Sequence, residues 1–89
     1  MNEKAALEFN QPERQILKNA MQELLKKRSS LVADNENARL EFAETPVPAL
    51  GDKEAEKLYD ERKTKIRTTK ELIESIDQSI STYQKNLAQ

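Results

Sequence analysis

Acidic side chains are the first candidates for chemistry, because two neighbouring carboxylates can serve as general acid and general base. Examples of such pairs are Asp60 with Glu61 and Glu71 with Glu74. The chain has no histidine and no cysteine, so the commonest general base, the thiol nucleophile and the usual transition-metal ligands are missing. Its single glycine, Gly51, cannot build a glycine-rich phosphate loop. We therefore interpret the acidic pairs as solubilising, and expect a protein that is not an enzyme and uses no cofactor or metal.

Basic side chains form a second candidate site, which we call the basic belt: Lys26, Lys27, Arg28, Lys63, Lys65, Arg67 and Lys70. Such a cluster can bind phosphate groups or an acidic protein. Aromatic residues are not interleaved with it, and the net charge of −1 gives no general attraction to nucleic acid. A solvated face is the plainer interpretation, and nucleic acid is the less favoured partner. The alternative is a binder of nucleic acid or of an acidic protein, for example a phage-encoded inhibitor.

Helices are the elements that must position these side chains. Residues 66–87 show the clearest pattern, with a seam spaced alternately by three and four residues: Ile66, Thr69, Ile73, Ile76, Ile80, Tyr83 and Leu87. This spacing predicts a helix that packs along one face against another helix. Charged residues make up 35% of the chain and hydrophobic residues 36%, which suits exposed helices with a narrow buried stripe.

The segment at residues 45–52 (TPVPALGD) is the strongest helix breaker in the chain. The residue before each proline is disfavoured in a helix, and Gly51 can adopt a positive φ. Asp52 is placed to cap a second helix, and Asn10, with Glu13 three residues later, to cap the first. The sequence predicts a single all-α domain over residues 1–89. It is an antiparallel two-helix coiled-coil hairpin with helices at about 11–44 and 52–88 and a loop at 45–51.

The first helix has a seam with the same spacing, which runs from Leu17 to Phe42, and the seam of the second helix begins at Ala55. A register follows when the two seams are paired so that apolar residues meet apolar residues. The residue numbers of each pair then add to 97: Leu17–Ile80, Met21–Ile76, Leu24–Ile73, Arg28–Thr69, Leu31–Ile66, Asn35–Arg62, Ala38–Tyr59 and Phe42–Ala55. Lys18 would lie near Asp77, and Asp34 near Lys65. We expect the polar layers to prevent slippage, as a polar seam residue does in other coiled coils.

Several apolar residues lie beside or away from the seam, among them Ile16, Leu25, Val32, Leu58 and Leu72. Scattered surface hydrophobes are ordinary. A chain this short, however, usually gains only a few kcal/mol from its own core. We therefore expect these residues to form a second contact stripe. It would bind a helical protein partner, a second copy of the chain, or both, and so complete a four-helix bundle.

This architecture, with Ala49-Leu50-Gly51 at the loop, resembles the Esx-like hairpins of Gram-positive type VII secretion and the small partner proteins of toxins in that pathway. Members of the Esx type carry Trp-x-Gly at the loop, where this chain has Ala49. Their export signal has an acidic residue four positions after a tyrosine. In this chain the residue four positions after Tyr59 is Lys63, which is basic. The resemblance implies a helical partner or targeting factor for a toxin or effector, and carries over no functional residue.

We predict a non-enzymatic adaptor or chaperone that binds a partner protein through its apolar stripe. The alternatives are the basic-belt binder and a structural subunit of a filament or virion. No apolar run in the sequence approaches a transmembrane span or a signal-peptide core. We therefore expect no membrane insertion and a cytoplasmic location, with export, if any, by a route independent of a signal peptide.

Overall fold

The computed structural model describes the backbone of residues 2–88 and the side chains of residues 12–88. These residues form two α-helices, α1 (Asn2–Glu44) and α2 (Lys53–Ala88), joined by a loop at residues 45–52. The helices lie side by side and antiparallel, in a rod that measures 76 × 15 × 14 Å. The predicted all-α helical hairpin is confirmed.

The first helix begins earlier than the sequence pattern indicates. Its backbone is helical from Asn2, so Asn10 lies inside α1 and does not mark its N-terminal end. Pro12 lies within the same helix, where its ring nitrogen cannot donate a hydrogen bond to the preceding turn. The Arg14 guanidinium donates to the Leu87 carbonyl in the last turn of α2 (2.8 Å). The turns of α1 before Pro12 therefore extend beyond the end of α2.

The loop ends one helix and starts the next for the reasons that its sequence predicts. Gly51 has a φ of 90°, which residues with a side chain rarely adopt. The turn is closed by a hydrogen bond from the Asp52 amide to the Ala49 carbonyl (3.1 Å). The Asp52 carboxylate then accepts from the Ala55 amide (3.1 Å), which confirms Asp52 as the cap of α2.

The buried residues are those selected by the predicted seam. Between Lys53 and Ala88 every seam residue is buried or half-buried, and every other residue is exposed. The most buried apolar side chains are Ala38, Ile76 and Ile80, with 1%, 7% and 8% of their surface exposed. Among the described side chains no large one is fully buried. The core is therefore a single narrow row between two helices.

The register of the two helices differs from the predicted one. Phe42 was expected opposite Ala55, but its ring packs on Tyr59, with ring centroids 4.9 Å apart. The partner of Phe42 is therefore four residues, about one helical turn, farther along α2 than predicted. The flanking pair changes too, because Asp77 contacts Arg28 and not Lys18.

The polar layer around Asn35 shows the same displacement. Asn35 was expected opposite Arg62. Its side-chain amide instead donates to the Ile66 carbonyl (3.1 Å) and to the Thr69 hydroxyl (2.8 Å). Thr69 in turn donates to backbone carbonyls of its own helix (2.9 and 3.0 Å). These contacts place the partners of Asn35 four and seven residues farther along α2 than predicted.

The physical reason for the difference lies in the loop. A slide of one or two turns leaves every seam residue in the seam, so apolar spacing alone accepts several registers. The predicted register requires the chain to turn back near the midpoint of the loop. The turn instead lies at Leu50 and Gly51. Because Phe42 is level with Tyr59, α2 begins about one turn beyond the end of α1. Hydrogen bonding at Asn35 and ring packing at Phe42 then select this register.

Candidate protein-interaction surfaces

An ion pair marks one side of the seam, which we call the Arg28 side. The Arg28 Nε donates to Asp77 Oδ1 at 2.5 Å, and both side chains are partly exposed. The hydrogen bond that Arg28 donates to Asp77, and then the negative charge of Asp77, raise the pKa of Arg28 above its ordinary value. Arg28 is a seam residue of α1, so the rod carries a charged pair where most coiled coils have apolar contact.

A hydrogen-bonded cluster marks the opposite side, which we call the Arg62 side. The Arg62 guanidinium donates to the Thr45 hydroxyl (2.6 Å) and to the Glu41 carbonyl (3.2 Å). The Thr45 hydroxyl donates to the same carbonyl (2.6 Å). Successive seam positions alternate between the two edges of the seam, because they are spaced alternately by three and four residues. Arg28 occupies a seam position at one of these edges, and Arg62 occupies a seam position at the other. Their contacts therefore lie on opposite sides of the rod.

Two of the predicted partner-binding residues lie on the Arg28 side. Leu25 is three residues before Arg28 and Val32 is four residues after it, so all three share one face of α1. Leu25 is 46% exposed and Val32 is half-buried. They form a short apolar strip beside the Arg28–Asp77 pair.

Two others lie on the Arg62 side. Leu58 is four residues before Arg62, and Leu72 is four helical turns beyond Leu58 on the same face of α2. Their side chains are 43% and 47% exposed. Ile16 is the fifth predicted residue, and it is exposed near the end of the rod that lies far from the loop. The five residues are therefore divided between the two sides and one end, and do not form one stripe.

The basic belt surrounds the rod instead of forming a single face. Arg28 is engaged by Asp77, and the Lys26 ammonium lies 3.5 Å from Glu23 in an exposed pair. The other members divide between the two sides. Lys63 and Lys70, with Arg67 beside them, lie towards the Arg28 side, whereas Lys27 and Lys65 lie towards the Arg62 side. The belt therefore provides positive charge to both sides of the rod.

Three exposed apolar residues were not singled out from the sequence: Leu40, Val47 and Leu50. Leu40 is a large apolar residue at a position outside the seam. This feature of the sequence could have identified it as an exposed apolar residue. Val47 and Leu50 lie in the loop, and their side chains are almost fully exposed. All three lie at the loop end of the rod.

Other kinds of site find no geometric support in the part of the chain that the structure describes. Among residues 12–88, no three acidic side chains lie close enough to hold a metal ion. Neither α1 nor α2, as far as they are described, has a stretch long and apolar enough to cross a bilayer. Comparison with protein-family models, curated proteins and solved structures gives no match for the chain.

Proposed function

We propose that the hairpin is a non-enzymatic adaptor or chaperone that binds a helical segment of a partner protein along its Arg28 side. The observation that carries this proposal is the surface left exposed. The chain exposes 7376 Å², whereas a compact protein of 10.3 kDa exposes about 5,400 Å². The excess of roughly 2,000 Å² is more than the surface of about 800 Å² that each partner buries in a standard interface.

The chemistry of the Arg28 side indicates the kind of helix that fits. Leu25 and Val32 are seven residues apart, so they contact a neighbouring helix at the same position of successive heptads. Lys18 and Arg39 continue this row at the same spacing, and Lys70 lies across the seam near Val32. An amphipathic helix with an apolar stripe and acidic flanks would satisfy both the leucine–valine strip and its basic borders.

A finer proposal comes from the Esx-like resemblance, in which the partner is an exported toxin or effector. Adaptors of this kind are commonly encoded beside the protein that they serve. Products of the adjacent genes are therefore the first partners to test.

The experiment co-expresses the chain with each such product and measures the mass of the purified complex by light scattering. Leu25→Asp combined with Val32→Asp places two charges in the strip and should abolish the complex. Ala33→Asp is the matched control, since Ala33 is exposed on the outer face of α1 at the same level. Circular dichroism reports whether each variant keeps its helices. A complex that survives the double substitution in a helical protein would overturn the proposal.

A further inference from the structure

We propose that the Arg62 side mediates self-association, in which the loop end of one hairpin lies antiparallel against the middle of a second copy. This surface lies on the side of the rod that the proposed adaptor function leaves free. The inference therefore goes beyond that function and can fail independently of it.

Charge is segregated along the rod. Phe42 is level with Tyr59, and Asn35 with Ile66, so residues 40–61 form the loop end and residues 26–39 lie beside residues 62–75 in the middle. The loop end carries seven acidic and two basic side chains. The middle carries nine basic and four acidic side chains. The remaining described part, residues 12–25 with 76–88, has three of each. One hairpin thus has an acidic end next to a basic middle.

This distribution selects one arrangement of two copies. A parallel pair in register would place acidic end on acidic end and basic middle on basic middle. An antiparallel pair with full overlap would again place the two basic middles together. An antiparallel pair staggered towards the loop ends places each acidic end on a basic middle, and a twofold axis makes this contact twice. Only the staggered pair brings opposite charges together throughout.

The Arg62 side carries a row of residues that fits this arrangement. Leu58, Glu61, Lys65 and Leu72 follow one another on one face of α2, and both leucines are nearly half exposed. A twofold axis between Glu61 and Lys65 places Glu61 of each copy beside Lys65 of the other. The same axis brings Leu72 near the loop end of the second copy, where Leu50 is fully exposed.

The size of the contact sets its strength. The staggered pair overlaps along residues 53–73 of α2, a length of about 30 Å at 1.5 Å per residue. On a rod 15 Å wide, this gives a footprint of roughly 450 Å² per copy, near the lower limit of specific interfaces. We therefore expect a dimer that depends on concentration and weakens with salt, since charge pairs at its surface are screened.

The test measures mass against concentration by sedimentation equilibrium for the full chain and two reversals, Glu61→Lys and Lys65→Glu. Each reversal brings like charges together twice and should weaken self-association by roughly tenfold or more. An equimolar mixture of the two variants should recover it, because each variant then supplies the charge that the other lacks. A recovery of self-association in the mixture cannot come from a contact between residues 61 and 65 of the same helix, because mixing does not change either chain. It must come from a contact between the two variants.

Glu71→Lys and Lys57→Glu are the matched controls, with the same charge changes on the exposed outer face of α2. Both should self-associate like the original chain, and circular dichroism should show intact helices throughout. A chain that stays monomeric at its highest soluble concentration would overturn the proposal. The proposal would also be overturned if neither reversal weakened self-association. The same holds if the equimolar mixture of the two variants did not restore it. Leu25→Asp should leave the mass unchanged, which separates this test from that of the adaptor function.

Discussion

Phe42, in the last turns of α1, packs against Tyr59, in the second turn of α2, with ring centroids 4.9 Å apart and ring planes tilted by 49°. This tilted contact joins the only two aromatic rings near the loop. Together with the hydrogen bonds of Asn35, it fixes how far the second helix slides along the first, and hence which side chains meet across the seam.

The first prediction concerns the energy of this aromatic pair. In a double-mutant cycle, Phe42→Ala and Tyr59→Ala should show a coupling free energy of about 0.5–1.5 kcal/mol, as tilted aromatic pairs do. The measurement is the free energy of unfolding in urea. The cycle of Phe42→Ala with Ala55→Gly is the control and should show coupling near zero. Stronger coupling to Ala55 than to Tyr59 would favour the register that apolar matching predicts.

The second prediction concerns the polar layer at Asn35. Asn35→Leu removes the hydrogen bonds to Ile66 and Thr69 and adds apolar contact. The free energy of unfolding should rise or stay equal, while the helices lose their single register. Amide NMR spectra should then show duplicated resonances for α2. Asn37→Leu, at an exposed position on the same helix, should leave a single set of resonances. A single set for Asn35→Leu as well would show that this layer does not fix the register.

The third prediction concerns the turn before α2. Gly51 has a φ of 90°, and open space surrounds the position where a Cβ would lie. Gly51→Ala should therefore destabilise the hairpin by about 1–2 kcal/mol through backbone strain alone. Leu50→Ala, at the neighbouring exposed position, should change the free energy of unfolding by less than about 0.5 kcal/mol. Equal effects of the two substitutions would show that the turn does not require a positive φ.

The seam positions could be predicted from the sequence because burial follows a spacing of three and four residues. Ile76 and Ile80 are buried as that spacing requires, and Asp52 caps α2 because its carboxylate can reach an amide three residues on. The register could not be predicted in the same way. Phe42 fits the seam equally well opposite Ala55 or Tyr59, and the apolar spacing alone does not distinguish the two partners.

The division of the candidate surface into two sides was not predicted, although the alternating spacing of the seam residues contains it. Leu25 and Leu72 are both next to a seam residue in the sequence, and neighbouring residues can lie on either edge of a seam. Leu25 follows Leu24, whereas Leu72 precedes Ile73. The side on which each leucine lies depends on which edge of the seam its neighbouring seam residue occupies. The contacts of Arg28 with Asp77 and of Arg62 with Thr45 identify those edges in the folded chain.

The fourth prediction compares two isoleucines of α1 and α2 that differ in burial. Ile76 is 7% exposed and Ile16 is 66% exposed. Ile76→Ala should cost about 2–3 kcal/mol, the lower part of the range for core positions, because a two-helix core can partly collapse. Ile16→Ala should cost less than about 0.5 kcal/mol. The measurement is urea unfolding of each variant at one protein concentration. Similar costs would contradict the assignment of the seam.

The hairpin itself is tested most directly by one intramolecular distance. Gln22 and Gln78 are exposed and lie at similar levels on the two helices, and the chain has no native cysteine to interfere. We would place spin labels at cysteines introduced at both positions, dilute the labelled chain with unlabelled chain, and measure the distance by pulsed electron resonance. The folded-back chain predicts a single short distance, on the order of 20 Å for helices packed 8–10 Å apart plus the label arms. A distance on the order of 80 Å, as in one continuous helix, would contradict the fold and both proposed surfaces.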